Sequence, residues 1–137
     1  MSWSNEVATV LVPGTRSLVI DDSTATRRIF RSYLEPLGLA VLDAGDGRAA
    51  LDLLERDPHA AGLIFCDISM PRMDGFEFCA RLHQAPWYDG TPVIMVSTQS
   101  DAKSVVRALK LGADDYIPKP FDREFLARVI ARVLHHD

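Results

Sequence analysis

The chain has few of the features that would place it at a membrane, in an oxidising compartment, on nucleic acid or around a dinucleotide. Its longest early apolar run, Val7 to Val12 with Thr9 inside it, is too short for a membrane span. No basic residue precedes that run, so it does not read as a signal peptide either, and the expectation is a cytoplasmic protein with no membrane partner. Cysteine is scarce: Cys66 and Cys79 are too far apart for a C-x-x-C pair, and each sits in an apolar run, as buried free thiols do. Basic charge is not in excess. Fifteen Lys plus Arg against nineteen Asp plus Glu leave a net charge of -4, the wrong sign for a protein whose main ligand is nucleic acid. His59, His83, His135 and His136 lack metal-ligand spacing within one element, apart from the terminal pair. No glycine-rich nucleotide fingerprint occurs, which argues against a dinucleotide cofactor.

What is present is the composition of one folded domain. The 137 residues match the commonest size for a single core, and 47% apolar with 25% charged residues is typical of a globular chain. From Ser17 onward, short runs of Val, Ile and Leu alternate with longer stretches whose apolar residues recur at three and four spacing, the pattern of a parallel sheet covered by helices. Five strands are expected, at Leu18 to Ile20, Leu39 to Asp43, Leu63 to Cys66, Val93 to Val96 and Asp115 to Ile117. Five helical stripes accompany them: Ile29, Tyr33, Leu34 and Leu37; Ala50, Leu51 and Leu54; Phe76, Cys79 and Ala80; Ala102, Val105, Val106 and Leu109; and Phe125, Val129, Ile130 and Val133. Gly38 and Gly112 stand where left-handed C-terminal caps belong, Asp74 with Glu77 can form a capping box, and Ser100 and Asp122 are expected N-caps. Residues 1–16, closed by Pro13-Gly14, fall outside the repeating unit as a tail or an added strand, leaving residues 17–137 as the domain.

In an open parallel sheet, ligands bind at the carboxyl ends of the strands. Here the first strand ends in Asp21-Asp22, the third in Asp67 and the fourth in Ser97-Thr98, and the fifth leads to Lys119. Three carboxylates gathered together repel one another unless a cation offsets them, and magnesium, which takes one or two carboxylates plus a phosphate oxygen, suits such a site. Lys119 and the Ser97 hydroxyl supply donors for phosphoryl oxygens. A nucleophilic carboxylate, a metal site and two donors together make a phosphoryl-transfer site, with Asp67 as the acceptor.

The sequence at these positions resembles the receiver domain of two-component response regulators. The likeness is carried by Val19-Ile20-Asp21-Asp22-Ser23, Phe65-Cys66-Asp67-Ile68-Ser69-Met70-Pro71, Met73-Asp74-Gly75, Val96-Ser97-Thr98 and Gly112 through Phe121, and it covers residues 17 to about 135. It implies a flavodoxin-like (CheY-like) doubly wound fold, with a five-stranded parallel sheet in the order 2-1-3-4-5 and five helices. It implies that Asp67 accepts the phosphoryl group, that Asp22 binds Mg2+ directly and Asp21 through water, and that Ser69 adds a backbone carbonyl. Lys119 would contact the phosphoryl group, with a cis bond to Pro120. On phosphorylation Ser97 would swing toward the new oxygens and Tyr116 would turn inward, with the signal appearing on the fourth helix, fifth strand and fifth helix. Ser69 and Gln99 flank the expected path of the hydrolytic water, and neither is a strong base, so a moderate phosphate lifetime is expected.

The same resemblance implies a histidine kinase or histidine phosphotransfer protein as donor, docking near Arg27, Arg28 and Arg31 on the first helix, and a downstream target protein. Lys103, Arg107 and Lys110 make the fourth helix locally basic. The expected form is a monomer or a phosphorylation-dependent dimer. Because the sequence stops just after the fifth helix, a stand-alone regulator is expected, with a receiver cut from a longer regulator as the alternative. A phosphatase of the haloacid dehalogenase type would need a second Asp two residues after the nucleophile, where this chain has Ser69. The expectation is therefore a phosphoacceptor that catalyses its own phosphorylation and dephosphorylation, not a multiple-turnover enzyme.

Overall fold

A computed structural model of the chain describes residues 15–99 and 101–134. Along it run β1 (Arg16–Ile20), α1 (Thr24–Leu34), a 3-10 turn (Glu35–Leu37), β2 (Ala40–Ala44), α2 (Gly47–Arg56), β3 (Leu63–Asp67), α3 (Gly75–Gln84), β4 (Val93–Ser97), α4 (Ala102–Lys110), β5 (Asp115–Pro118) and α5 (Arg123–Leu134). The strands form one parallel sheet in the order β2-β1-β3-β4-β5, as expected. β1 begins at Arg16, one residue inside the segment set apart as an extension. What was expected of residues 1–14, and of His135 and His136, lies outside the described residues.

Helices cover both faces, which is why β3 and β4 are buried at every position while the edge strand β2 is not. Neighbouring residues of a strand point to opposite faces, so Ile64 and Phe65 enter different cores. Ile64, Ile20 and Met95 pack with Leu54 of α2, Phe78 and Leu82 of α3 and Ala108 of α4. Phe65, Val19 and Ile94 pack with Phe30 of α1 and Leu126 and Ile130 of α5.

Local chemistry sets the helix ends. Ser23, Asp46, Asp74, Asp101 and Asp122 each accept a hydrogen bond from the amide three residues on. Asp101, rather than Ser100, therefore caps α4; Ser100 itself is outside the described residues. Gly38 and Gly112 have φ of 92° and 111°, as expected of left-handed caps, and at Gly112 a Cβ would also lie 2.5 Å from the His83 ring.

Leu34, Leu37, Phe76, Cys79, Val129, Ile130 and Val133 are buried as expected, as are Ala50, Leu51 and Leu54 of α2, but three stripes each differ at one position. Ile29 is exposed while Phe30 is buried, Ala80 is half-buried while Phe78 is buried, and Phe125 is exposed while Leu126 is buried. Apolar pairs one or two residues apart leave the buried direction of a 3.6-residue helix undecided until a sheet lies beneath it. The α4 stripe differs more: Ala102, Val106 and Leu109 are exposed, Val105 is half-buried, and Ala108 is the buried residue.

Candidate functional site

β1 and β3 are hydrogen-bonded neighbours in register at Ile20 and Cys66, so the residues that follow, Asp21 and Asp67, emerge side by side at the carboxyl edge. Asp21, Asp22 and Asp67 each present a carboxylate oxygen, and these oxygens lie within 4.8 Å of one another. Asp21 and Asp67 are buried and Asp22 is exposed. From β5, Lys119 reaches across: its Nζ donates to Asp21 Oδ2 at 3.0 Å and to Asp67 Oδ1 at 3.1 Å. The Lys119–Pro120 bond is cis.

The electrostatics follow from this crowding. Burial raises the Asp67 pKa; Lys119 opposes that shift and the Asp21 charge adds to it, leaving the carboxyl above its ordinary value. Burial alone would lower the Lys119 pKa, but hydrogen bonds and charge from Asp21 and Asp67 outweigh it, and the ammonium is held above its ordinary value. Lys119 therefore stays protonated through the physiological range, and its contribution to stability is lost only as pH rises through that raised value. Beneath the site, burial pushes the Cys66 thiol well above its ordinary value, and burial with Asp114 pushes Cys79 to about 11, so both expected buried thiols remain protonated.

Ser97 is fully buried at the end of β4, and its Oγ accepts from the Gln99 amide at 2.9 Å rather than bonding to Asp67. Tyr116 lies inward, 8% exposed, and its hydroxyl donates to the Gln99 carbonyl. The Gln99 side chain donates in turn to Ser69 Oγ at 3.4 Å. The Lys119 amide donates to the Ser97 carbonyl at 2.8 Å. Ser97, Gln99, Tyr116, Ser69 and Lys119 thus form one linked unit around the acidic cluster, while Thr98 is exposed.

Sequence reasoning missed two features of the site. At Gly75, the first residue of α3, a Cβ would stand 2.5 Å from the Asp67 carbonyl and 2.8 Å from Ile68 Cα, so only glycine lets α3 start this close behind Asp67. The glycine after an N-cap aspartate was the available signal. The second is Arg27. Expected with Arg28 and Arg31 on the donor-docking face of the first helix, it has a side chain only 18% exposed, which donates to the Asp21 carbonyl at 2.6 Å. Arg31 is also engaged, 3.5 Å from Asp43 and 3.4 Å from Glu35, while Arg28 is exposed.

An acidic cluster at the carboxyl edge of an open parallel sheet, with a lysine bridging two of the carboxylates, lies where α/β proteins of this class bind their ligands. The family model for the response regulator receiver domain matches residues 17–131, and the chain belongs to that family. Protein PilG of Pseudomonas aeruginosa is 38% identical over 117 residues, 85% of each chain. The transcriptional regulatory protein CpxR of Escherichia coli is 39% identical over 115 residues, which are 83% of this chain and 47% of CpxR. The chain spans only 14% of another relative, the sensor histidine kinase CheAY of Helicobacter pylori, and 49% of the response regulator MprA of Mycolicibacterium vanbaalenii. Among solved structures, the chemotaxis response regulator CheY4 of Vibrio cholerae superposes with a TM-score of 0.80 at 31% identity, over 88% of this chain and 98% of that one.

Proposed function

We propose that Asp67 accepts a phosphoryl group from a phosphohistidine on a histidine kinase or phosphotransfer protein. The observation that supports this most is the Lys119 ammonium shared between Asp21 and Asp67 beside a third carboxylate. In the transfer, an Asp67 oxygen forms the new bond to phosphorus as the bond to the donor imidazole nitrogen breaks, and the imidazole keeps that electron pair. Lys119 is placed to neutralise oxygens of the arriving group, and burial of Asp67 strengthens that interaction by excluding water. The three carboxylates fit a hard divalent cation, so Asp21, Asp22 and Asp67, with the Ser69 carbonyl, would hold Mg2+, which when bound offsets charge on the phosphoryl oxygens.

The linked unit around the cluster supports a switch. If Ser97 turns its Oγ toward phosphoryl oxygens, it must release the Gln99 amide, and Gln99 carries the carbonyl that receives the Tyr116 hydroxyl. Movement at the site would thereby reach β5 and the α4 and α5 faces beside it, where a downstream protein binds. Residues 17–137 serve as the receiver, which acts in the cytoplasm; among the described residues no helix is long and apolar enough to cross a membrane. A single-domain regulator is supported by the 85% coverage of PilG. The 47% coverage of CpxR supports a second reading, a receiver joined to a transcriptional output domain.

Incubation with acetyl phosphate and Mg2+, followed by intact and peptide mass spectrometry, tests the acceptor. One phosphoryl group on Asp67 is expected, absent in Asp67→Asn. Modification elsewhere, or none, would sink the reading.

A further inference from the structure

We propose that Arg27 is a positioning residue that aims the acidic pair Asp21-Asp22 at the cation site; the inference rests on the magnesium reading above. Arg27 lies on the first turns of α1, yet its guanidinium is turned back under the end of β1. Nη1 donates to the Asp21 carbonyl at 2.6 Å, Nη2 donates to Thr24 Oγ1 at 3.3 Å, and Nε lies 3.8 Å from Asp43 Oδ2 at the end of β2. The same group lies beside Gly45, where a Cβ would come 3.7 Å from Nη1. A planar fork held from three directions has one place to sit, which a flexible ammonium would lack.

Asp21 itself is fixed at several points. Its amide donates to the Ala44 carbonyl at 3.1 Å, and its carboxylate accepts from the Ser23 amide at 2.9 Å and from Lys119 at 3.0 Å. Asp22 differs: it is exposed, and its carboxylate makes no hydrogen bond among the described residues. Its direction is therefore set by the backbone, and the peptide plane it hangs from is the one whose oxygen Arg27 grips. Loss of that grip frees the Asp21–Asp22 peptide to rotate and spreads the carboxylates.

The sign of the effect separates positioning from simple charge. Removing a nearby cation should, by electrostatics alone, tighten binding of another cation. Loss of a group that orients metal ligands weakens it, commonly by about tenfold or more. Titration of Mg2+ into the full chain by calorimetry, with no phosphodonor, reads this directly. Arg27→Ala is expected to weaken Mg2+ binding by about tenfold, Arg27→Lys to recover part of the loss by keeping one donor, and Arg48→Ala, which removes the same unit of charge from an exposed ion pair, to show no weakening. Arg27→Ala binding Mg2+ as tightly as the parent, or more tightly, overturns the inference. If Arg27→Ala does not fold by circular dichroism, Arg27→Lys decides, with affinity equal to the parent overturning it. A parent chain that does not bind Mg2+ defeats the magnesium reading itself, a separate result.

Discussion

α3 and α4 pack on the same face of the sheet, and they are held there very differently. α3 buries Phe76, Phe78, Cys79 and Leu82 behind Gly75, whereas α4 buries Ala108. α4 leaves Val106 and Leu109 each 47% exposed. Half-buried Val105 and Leu111 add to its hold, as does Arg107, whose guanidinium lies 4.1 Å from the Phe76 ring centroid and ties α4 to α3. The helix behind Asp67 is thus an anchor, and the helix after the Ser97–Gln99 loop rests on a thin apolar contact. Moving α4 exposes little new apolar surface and costs correspondingly little. That is a physical reason for the proposed signal from Asp67 to emerge at α4 rather than at α3.

The contrast can be broken at either helix. Phe78→Ala empties a fully buried site and should cost about 3–5 kcal/mol in urea unfolding; a loss below about 1 kcal/mol would show that α3 is no anchor. Gly75→Ala should cost about 1–3 kcal/mol despite the better helix propensity of alanine, because its Cβ meets the Asp67 backbone and neither side can yield freely. It should also slow acetyl phosphate labelling, and unchanged labelling would mean that α3 does not fix the acceptor.

Asp67→Asn should stabilise the chain by about 1 kcal/mol, since it removes one of three crowded carboxylates while leaving Lys119 its bond to Asp21. The sign with pH follows from the raised Asp67 pKa. The unfolded carboxyl ionises first as pH rises past the ordinary 3.8, and from there the folded state is penalised. The advantage of Asn should therefore be present at neutral pH and fade as pH falls toward 3.8; an advantage that grows on acidification would contradict the crowding argument. The smallest effects belong to α4, where Val106→Ala and Leu109→Ala should each change stability by at most about 0.5 kcal/mol. A large loss from either would show that α4 is as firmly seated as α3.

The alternation of apolar runs with amphipathic stretches made the five strands readable, because a strand buried on both faces must be apolar throughout, as Leu63–Cys66 and Val93–Val96 are. The strand-end positions of Asp21, Asp67, Ser97 and Lys119 were readable for the same reason, since each polar residue interrupts an apolar run at its edge. One inward position in each of α1, α3 and α5 was not, because neighbours such as Ile29 and Phe30, or Phe125 and Leu126, are equally apolar. Arg27 was grouped with Arg28 and Arg31 on one docking face because nothing in the three arginines distinguishes the one that folds under its helix.

By itself, then, the sequence determined the order of elements, the family and the set of acidic, hydroxyl and lysine side chains that meet at one edge. Those follow from periodicity and from which residues end each strand, both local properties of the chain. Only the tertiary structure decided which of two adjacent apolar residues turns inward at Phe30 and Leu126, that α4 is lightly seated, and that Arg27 grips the Asp21 carbonyl. These depend on contacts between residues far apart in sequence, where packing, not propensity, selects among alternatives that the chain leaves equal.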